Sequence, residues 1–580
     1  IQCSFSLKLL QKQTGDDGSV RFSPELSEGE KEATRSRKVK VLECLNKLGI
    51  SCDEKTMPNI AVLGSGGGLR ATIALLGTLA EMKKQGLLDA VMYLCGVSGS
   101  TWCISTLYNG KDWAKNIETL EEKLCNDLCW TPVDIQKQLD WVTKAADGEV
   151  FSLTDVWEAF VVKNILKLNR GKKLSEHKAA ASNGMNPYPI YAAVEQNTFE
   201  KENTCPGTWF EFTPHECGFP GLDVFVSTKY FGSKFQGGKL TEPKEEKHMS
   251  YLQSLWGSAL GSMQENKHYL MGTEISAKGR CIFLKRPCAL LSQKRWSLGP
   301  LLAGKVMSFF EISSSDPTSP ILSSPQQRNI GDHTDEQLHN KAMSSLQSYF
   351  QKSSTTSKEQ IPPHISTHMC SASVATTIVL PSPGFVTRRT NFIEKLKTCY
   401  DNWTWGITNN FLYQTGNVHA DGLDKREVFN LIDAGVANNC AYPLVLRPAR
   451  RVGLILSFDF CIDGSFETLK RASKYCEENQ IPFPPIDPEV MKDLANPSSC
   501  YIFEGKGTPT VMHFPLFNTK NCPGPQEITK TRITFPTLRM SYTRQEMEEL
   551  LNKAKMNVAE NKDKILEQIQ KIVSSPTRGF

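Results

Sequence analysis

The chain has 580 residues and a formal net charge of +5 at pH 7. This length exceeds that of one typical domain, and the charge is too small to indicate a nucleic-acid-binding protein, although it allows contact with an anionic membrane surface. A hydrophobic fraction of 39% and a charged fraction of 22% are typical of a soluble globular protein.

Eighteen cysteines are spread through the chain without C-x-x-C pairs or regular spacing. We therefore expect the reduced thiols of a cytoplasmic protein, and neither a zinc site nor a small disulfide scaffold. We also expect no secretory signal and no transmembrane helix, because no apolar run reaches about 18 residues. The residue pattern indicates no metal and no other cofactor.

The first part of the chain begins with an extension and then alternates strands and helices. Residues 1–27 are predicted to form a mobile amino-terminal extension. Apolar residues recur at helical spacing within a charged stretch over residues 28–48, which predicts a helix. Residues 58–110 then repeat strand, glycine turn and helix. This rhythm favours an α/β fold with a mostly parallel central sheet flanked by helices.

The middle of the chain has a looser pattern. Residues from about 111 to 310 are predicted to form cap insertions, with a strand starting at Tyr188. The basic, leucine-rich residues 280–310 indicate either an ordinary packed helix or a surface that lies on lipid headgroups. The Ser/Pro-rich residues 312–365 are predicted to be a disordered loop, because they carry too few apolar side chains to offset the entropy of ordering.

Two further elements are indicated near the carboxyl end. The apolar residues 452–460 predict a buried strand. Thr543 and Glu546 have the spacing of a helix capping box, and the residues that follow carry an apolar face. We expect this face to pack in the core; membrane contact is the alternative.

A candidate nucleophile lies in the sequence Gly96-Val-Ser-Gly-Ser100, between an apolar run and a helical pattern. A serine between glycines can occupy a sharp strand-to-helix turn, with its hydroxyl near the positive end of the helix dipole. Ser98 is therefore the predicted nucleophile. An ordinary Gly/Ser turn is the alternative, and the second glycine turn upstream makes it less favoured.

That upstream turn, Gly64-Ser-Gly-Gly-Gly-Leu-Arg70, supports two interpretations. Its glycine spacing matches a relaxed dinucleotide-binding pattern. The acidic residue that this pattern requires on the next strand is absent, because the strand ends at Cys95 and then glycine. An oxyanion hole explains both turns, since the N–H groups of Gly67 and Gly68 would face the carbonyl oxygen that Ser98 attacks.

A base for the serine must come from far downstream. Asp433 is the best candidate, because an apolar run delivers its carboxylate into a small-residue turn. A solvated turn aspartate is the alternative. If a Ser-Asp-His triad were used, only His513 follows Asp433 in the chain. Its apolar neighbours favour a core histidine instead.

The chain resembles the cytosolic phospholipase A2 (group IV) family, and within it the gamma form, which lacks the calcium-binding C2 domain. The resemblance extends over roughly residues 30–570. It rests on the two glycine turns and Asp433-Ala-Gly, and on the segments Trp209–Pro214, Phe231–Phe235, Trp405–Phe411 and Tyr442–Arg450.

This resemblance implies a patatin-like three-layer α/β core with a cap, forming one catalytic domain over residues 28–575. It implies calcium-independent hydrolysis of the fatty-acyl esters of glycerophospholipids and lysophospholipids, with transacylation as a further activity. The implied site residues are the nucleophile Ser98, its base Asp433 in a dyad, the oxyanion-hole residues Gly67 and Gly68, Arg70 beside that hole, and Arg450, which would meet the substrate phosphate.

The expected location is cytoplasmic with peripheral membrane contact, the expected partners are glycerophospholipid and lysophospholipid at a membrane surface, and no nucleic acid is expected. Two alternatives from other classes remain open at this point. One is a dinucleotide-binding oxidoreductase, and the other is a catalytically silent lipid-binding protein.

Overall fold

The computed structural model describes residues 18–128, 135–166, 171–202, 204–262, 383–416, 418, 422–462 and 466–574. These residues divide into two compact units. The first takes its described residues from Ile1–Pro132, Val161–Ser262 and Trp405–Phe580, and the second from Val133–Phe160 and Met263–Thr404. The sequence predicts one domain with insertions over residues 28–575. The second unit begins at Val133, within the cap insertions that the sequence predicts over residues from about 111 to 310.

The described strands are β1 Arg21–Phe22, β2 Asn59–Gly64, β3 Tyr93–Gly96, β4 Tyr188–Glu195, β5 Trp209–Phe212, β6 Glu216–Phe219, β7 Val224–Ser227, β8 Lys234–Gln236, β9 Lys239–Glu242, β10 Ile407–Asn409, β11 Val428–Asp433, β12 Val452–Asp459, β13 Tyr501–Phe503 and β14 Thr510–Pro515. All belong to the first unit. Except for β8 and β9, which pair with each other, they form one sheet.

The α-helices of the first unit are α1 Glu28–Lys47, α2 Gly68–Lys84, α3 Gly99–Leu107, α4 Ile117–Asp127, α7 Lys163–Leu166, α8 Lys178–Ser182, α9 Gln196–Lys201, α10 Met249–Trp256, α12 Tyr442–Val445, α13 Glu467–Glu478, α14 Pro525–Thr534, α15 Arg544–Ala559 and α16 Lys562–Val573. Those of the second unit are α5 Ile135–Ala145, α6 Leu153–Trp157 and α11 Pro383–Asp401.

The centre of the sheet is parallel. Strands β14, β12, β2, β3 and β4 lie side by side in that order, each parallel to the next. Strands β5, β6, β7 and β1 continue the sheet beyond β4 with antiparallel pairing. The central strands are buried almost throughout, as expected for parallel strands covered on both faces. The predicted α/β class and the mostly parallel sheet are confirmed.

Several predicted elements are found close to their expected bounds. The helix predicted over 28–48 is α1, and Ser27 caps it by accepting a hydrogen bond from the Glu30 amide. The two strand–turn–helix repeats are β2–α2 and β3–α3. The strands predicted at Tyr188 and over 452–460 are β4 and β12.

The helix with the capping box is also confirmed, since Thr543 and Glu546 cap α15 reciprocally. Its apolar side chains are buried, and α15 packs closely on α2: a Cβ on Gly77 would lie 2.9 Å from the Leu551 carbonyl oxygen. A second helix follows it after a short break. The buried Asn561 bonds the Asn557 carbonyl, α15 ends at Ala559, and α16 begins at Lys562.

Part of the predicted mobile extension is a strand of the sheet. Residues 1–17 lie outside the described residues, but Arg21 and Phe22 pair with β7. The Arg21 guanidinium also donates two hydrogen bonds, of 2.6 and 3.0 Å, to the Glu216 carboxylate. The basic stretch 280–310 and the Ser/Pro-rich loop 312–365 both fall outside the described residues.

The second unit is built from three described helices. Ser152 and Asp155 form a capping box at the start of α6. The Lys395 ammonium of α11 donates to the carbonyl oxygens of Ala146 and Gly148 at 2.7 and 2.8 Å, just beyond the end of α5. These contacts tie α11 to the turn that follows α5.

Candidate active site

Ser98 lies on the sharp turn between β3 and α3. Its φ of 52° and ψ of −122° are uncommon for a residue with a side chain, and such strain is frequent at functional sites. The Ser100 amide donates to the Val97 carbonyl at 3.0 Å, and the Thr101 amide donates to the Ser98 carbonyl at 2.9 Å. The turn therefore has the geometry of a nucleophile elbow, with Ser98 directly before the helix.

The two glycine turns lie against each other, and this contact requires glycine. A Cβ on Gly99 would lie 1.8 Å from the Gly68 carbonyl oxygen. A Cβ on Gly66 would lie 2.9 Å from the Ser98 Cβ. No larger residue fits at either place, so the missing side chains allow the serine turn and the glycine turn to approach each other.

The first glycine turn presents free donors at the start of α2. Gly67 and Gly68 have φ values of 143° and 57°, which glycine tolerates best. In the part of the chain that the structure describes, neither of their N–H groups donates a hydrogen bond. Unsatisfied N–H groups at a helix N-terminus attract an oxygen that carries negative charge.

The register of β4 explains how Asp433 reaches Ser98. One edge of β4 pairs first with β3, where Tyr191 lies opposite Gly96. The same edge then pairs with the antiparallel β11, where Ala193 lies opposite Asp433. Strands β3 and β11 therefore run toward each other along β4. Their ends meet, and Ser98 follows Gly96 by only two residues.

Asp433 is buried and bonded at this meeting point. Only 2% of the residue is exposed. Its Oδ1 accepts a hydrogen bond from the Gly435 amide at 2.8 Å, and the neighbouring Ser98 side chain also favours the ionised carboxylate. Burial raises the pKa of Asp433 to about 7, because desolvation penalises the carboxylate more than the Gly435 amide and the Ser98 side chain favour it.

His513 occupies a different place. It lies on β14 beside Ser457, fully buried, with its Nε2 3.6 Å from the Asp459 Oδ2. The Asp433 carboxylate has the Gly435 amide and the neighbouring Ser98 side chain as its partners, and no histidine among the described residues bonds it. His513 is the core histidine that its apolar neighbours predict.

Arg70 lies beside the glycine turn, as predicted, but it binds the protein itself. It is 1% exposed. Its Nε donates to the Phe460 carbonyl at 2.8 Å, and its Nη1 donates to the Phe535 carbonyl at 2.6 Å. A Cβ on Gly67 would lie 2.4 Å from the Arg70 Nη2. The guanidinium therefore bonds the segments that contain Phe460 and Phe535 and packs against the glycine turn.

The expectation that Arg450 meets a substrate phosphate disagrees with the structure. Arg450 is fully buried between the carboxylates of Glu30 and Glu211. Its Nε and Nη2 donate to Glu30, its Nη1 and Nη2 donate to Glu211, and Nη1 also donates to the Leu444 carbonyl. All five N–H donors are used, so Arg450 has a structural role here.

Two further residues at the site are not predicted from the sequence. The Ser258 Oγ accepts a hydrogen bond from the Asp433 amide at 3.1 Å. The Asn439 side chain donates to the Gly66 carbonyl at 3.1 Å. Nothing in the sequence marks Ser258, which lies 175 positions from Asp433. Asn439 could have been suspected, because it follows Asp433 closely within the same stretch of small residues.

The chain is similar in sequence to known phospholipases. A family model described as "Lysophospholipase catalytic domain" matches residues 60–267, which include both glycine turns. The chain is 37% identical to cytosolic phospholipase A2 gamma of Mus musculus over 95% of this chain and 92% of that protein. It is 38% identical to the Homo sapiens protein of the same name, over 95% and 96% of the two chains.

Solved structures show the same fold. The structure of "Human GIVD cytosolic phospholipase A2" superposes with a TM-score of 0.65, covers 97% of this chain and 69% of its own, and is 22% identical. A second structure of that protein, in complex with methyl gamma-linolenyl fluorophosphonate, superposes with a TM-score of 0.63 at 21% identity, over 97% of this chain and 66% of its own.

The α/β sheet, the serine elbow and the family model together define a lipid acyl hydrolase with a lysophospholipase catalytic domain. The chain belongs to the cytosolic phospholipase A2 family. This membership makes it a phospholipase A2 enzyme and rules out the dinucleotide-binding alternative. In the described residues, no helix is long and apolar enough to cross a membrane.

Proposed function

We propose that this enzyme hydrolyses fatty-acyl esters of glycerophospholipids and lysophospholipids through a Ser98–Asp433 dyad. The observation that carries the proposal is the meeting of Ser98 with the buried Asp433 carboxylate where β3 and β11 end along β4, next to the free N–H groups of Gly67 and Gly68. A nucleophile, a base and oxyanion donors in mutual contact are what acyl transfer requires.

The first half-reaction forms an acyl-enzyme. The Ser98 Oγ attacks the ester carbonyl carbon while Asp433 accepts the hydroxyl proton. The carbonyl oxygen becomes an oxyanion and takes hydrogen bonds from the Gly67 and Gly68 amides. When the intermediate collapses, the bond to the alcohol breaks and the leaving oxygen takes the proton from Asp433.

The second half-reaction regenerates the serine. Water attacks the acyl carbon, Asp433 accepts its proton, and collapse releases the fatty acid and returns the proton to Ser98. Transacylation follows the same route when the hydroxyl of a lysophospholipid replaces water. The raised pKa of Asp433 suits both steps, because a base works best when its pKa lies near the working pH.

We further propose that residues 533–540 bring the site to a membrane surface. Ile533 is 59% exposed, and Leu538 and Met540 beside it in the segment are half-buried. The backbone of the same segment packs on the glycine turn, since a Cβ on Gly68 would lie 2.5 Å from the Thr537 carbonyl oxygen. An exposed apolar segment beside the site suits an enzyme whose substrate lies in a lipid surface.

The dyad is tested by labelling and substitution. A lipid fluorophosphonate should react with Ser98, and mapping the adduct identifies the nucleophile. Asp433→Asn should abolish hydrolysis of phosphatidylcholine and lysophosphatidylcholine, whereas His513→Gln should turn over normally if it folds. A well-folded but inactive His513→Gln enzyme would restore the triad. Unlabelled protein that binds vesicles but releases no fatty acid, even on long incubation, would favour a silent lipid-binding protein.

The membrane segment is tested with two matched variants. Val39 is also 59% exposed, but it lies on α1, whose Arg37 bonds the Val91 carbonyl at the opposite end of the sheet from the site. Ile533→Ser should weaken sedimentation with phosphatidylcholine/phosphatidylserine vesicles roughly tenfold, and Val39→Ser should not. Both should hydrolyse a monomeric ester normally. Equal vesicle binding by the two variants would contradict this proposal.

A further inference from the structure

Asn439 holds both polar main-chain groups of Gly66. The Gly66 amide donates to the Asn439 carbonyl at 3.0 Å. The Asn439 Nδ2 donates to the Gly66 carbonyl at 3.1 Å, and it also lies 2.8 Å from the Cys461 Sγ. The Ser65 Oγ lies 3.4 Å from the same carbonyl oxygen. One half-buried residue therefore fixes the middle of the glycine turn.

The carbonyl of Gly66 and the N–H of Gly67 belong to the same peptide group. This group is planar and trans, so its C=O and N–H bonds point in opposite directions. A hydrogen bond that fixes the Gly66 oxygen therefore also fixes the direction of the Gly67 N–H. Without that hydrogen bond the peptide group could rotate easily, because Gly67 tolerates φ values that other residues avoid.

Asn439 also contacts the turn that carries the base. Its Oδ1 lies 2.9 Å from the place where a Cβ of Gly435 would be, and the Gly435 amide is the group that bonds Asp433. A Cβ on Gly66 would lie only 2.3 Å from the same Oδ1. The Asn439 amide thus fills the space between the turn that follows Asp433 and the glycine turn.

We propose that Asn439 is a positioning residue: it orients the Gly67 N–H toward the oxyanion and fixes the position of this donor relative to Asp433. This inference rests on the proposed function, because it takes the Gly67 amide as an oxyanion donor. Asn439 touches neither the substrate nor the nucleophile in this scheme. It acts through the Gly66–Gly67 peptide, and its removal should weaken transition-state binding more than substrate binding.

The test uses two adjacent asparagines. Asn438 is more buried than Asn439, at 3% exposed, and its side chain bonds the Thr468 carbonyl and the Cys440 amide instead of the glycine turn. We compare Asn439→Leu with Asn438→Leu on a monomeric acyl ester. Asn439→Leu should lower kcat roughly 10- to 100-fold with little change in KM, somewhat less than the loss of a whole oxyanion donor.

A second readout separates positioning from stability. A trifluoromethyl ketone binds serine hydrolases as a tetrahedral oxyanion, so its affinity should fall by the same factor as kcat in Asn439→Leu. Asn438→Leu should lower the melting temperature yet keep its ketone affinity. Asn439→Gln, which retains the amide donor, should recover part of kcat. If Asn439→Leu does not fold, Asn439→Asp, which has the same shape and no N–H donor, takes its place.

Equal kcat and ketone affinity in the wild-type enzyme and the Asn439 variants would overturn the inference. So would a loss of kcat that Asn438→Leu reproduces in folded protein. Neither result would affect the dyad, which fails separately if the fluorophosphonate labels a residue other than Ser98.

Discussion

The buried base should make the enzyme less stable while making it active, and Asp433→Asn tests this directly. The asparagine has the same shape, and its carbonyl oxygen can still accept the Gly435 hydrogen bond. It carries no charge at any pH. We therefore expect an inactive protein that is more stable than the wild type at alkaline pH.

The magnitude follows from the pKa of Asp433, which burial raises from 3.8 to about 7. Because the folded-state pKa lies above the unfolded one, the folded state binds the proton more tightly, and wild-type stability falls as pH rises from 3.8 through 7. The full shift corresponds to about 4 kcal/mol, and about 2.5 kcal/mol of it develops between pH 5 and pH 8.

The assay is urea unfolding of both proteins at pH 5 and pH 8. The stability advantage of Asp433→Asn should be larger at pH 8 by about 2.5 kcal/mol. Asp53→Asn serves as a control without pH dependence in this range, because hydrogen bonds from Thr56 and Lys55 lower the pKa of the exposed Asp53 from 3.8, so it stays ionised at both pH 5 and pH 8. An Asp433→Asn advantage that does not grow between pH 5 and pH 8 would refute the reasoning.

Three further predictions come from the same structure. The kcat/KM of the wild-type enzyme should rise with pH through about 7, because only the ionised Asp433 accepts a proton; a flat profile over pH 6–8 would contradict this. Arg450→Met should destabilise the fold by roughly 3–5 kcal/mol in urea unfolding, since it removes the ion-pair partner of the buried Glu30 and leaves the buried Glu211 with Arg447 alone; a higher KM at unchanged stability would instead indicate a phosphate contact. Burial lowers the pKa of His177 to about 4, and its ring has no hydrogen-bond partner among the described residues. Stability should therefore fall as pH drops from 6.5 toward 4, and His177→Phe should remove part of this acid sensitivity in melting experiments.

The local elements could be predicted because their causes are local. Glycines at 64, 66, 67 and 68 after an apolar run specify a strand, a turn and a helix within a few residues of each other. The same holds for Ser98 and for the capping box of α15. These signals were sufficient to locate the proposed nucleophile and the candidate oxyanion donors.

Roles that depend on distant partners could not be derived in this way. The family resemblance assigns Arg450 to the substrate phosphate. Whether its guanidinium faces solvent or two carboxylates depends on Glu30 and Glu211, which lie 420 and 239 positions away. Arg70 likewise lies where expected, but its partners at Phe460 and Phe535 turn it into a support for the glycine turn.

The meeting of Ser98 with Asp433 shows why the fold is needed for the chemistry. Strand β4 pairs with β3 and with the antiparallel β11 along one edge, so a single strand aligns two ends that are 335 positions apart in sequence. The same packing removes water from Asp433 and raises its pKa toward neutrality. The alignment and the basicity therefore have a common cause, and a change that loosens the contact between β4 and β11 should lower both. A substitution that only removes the proposed nucleophile, Ser98→Ala, should instead raise the pKa of Asp433 further, because it deletes a neighbouring polar side chain that favours the carboxylate.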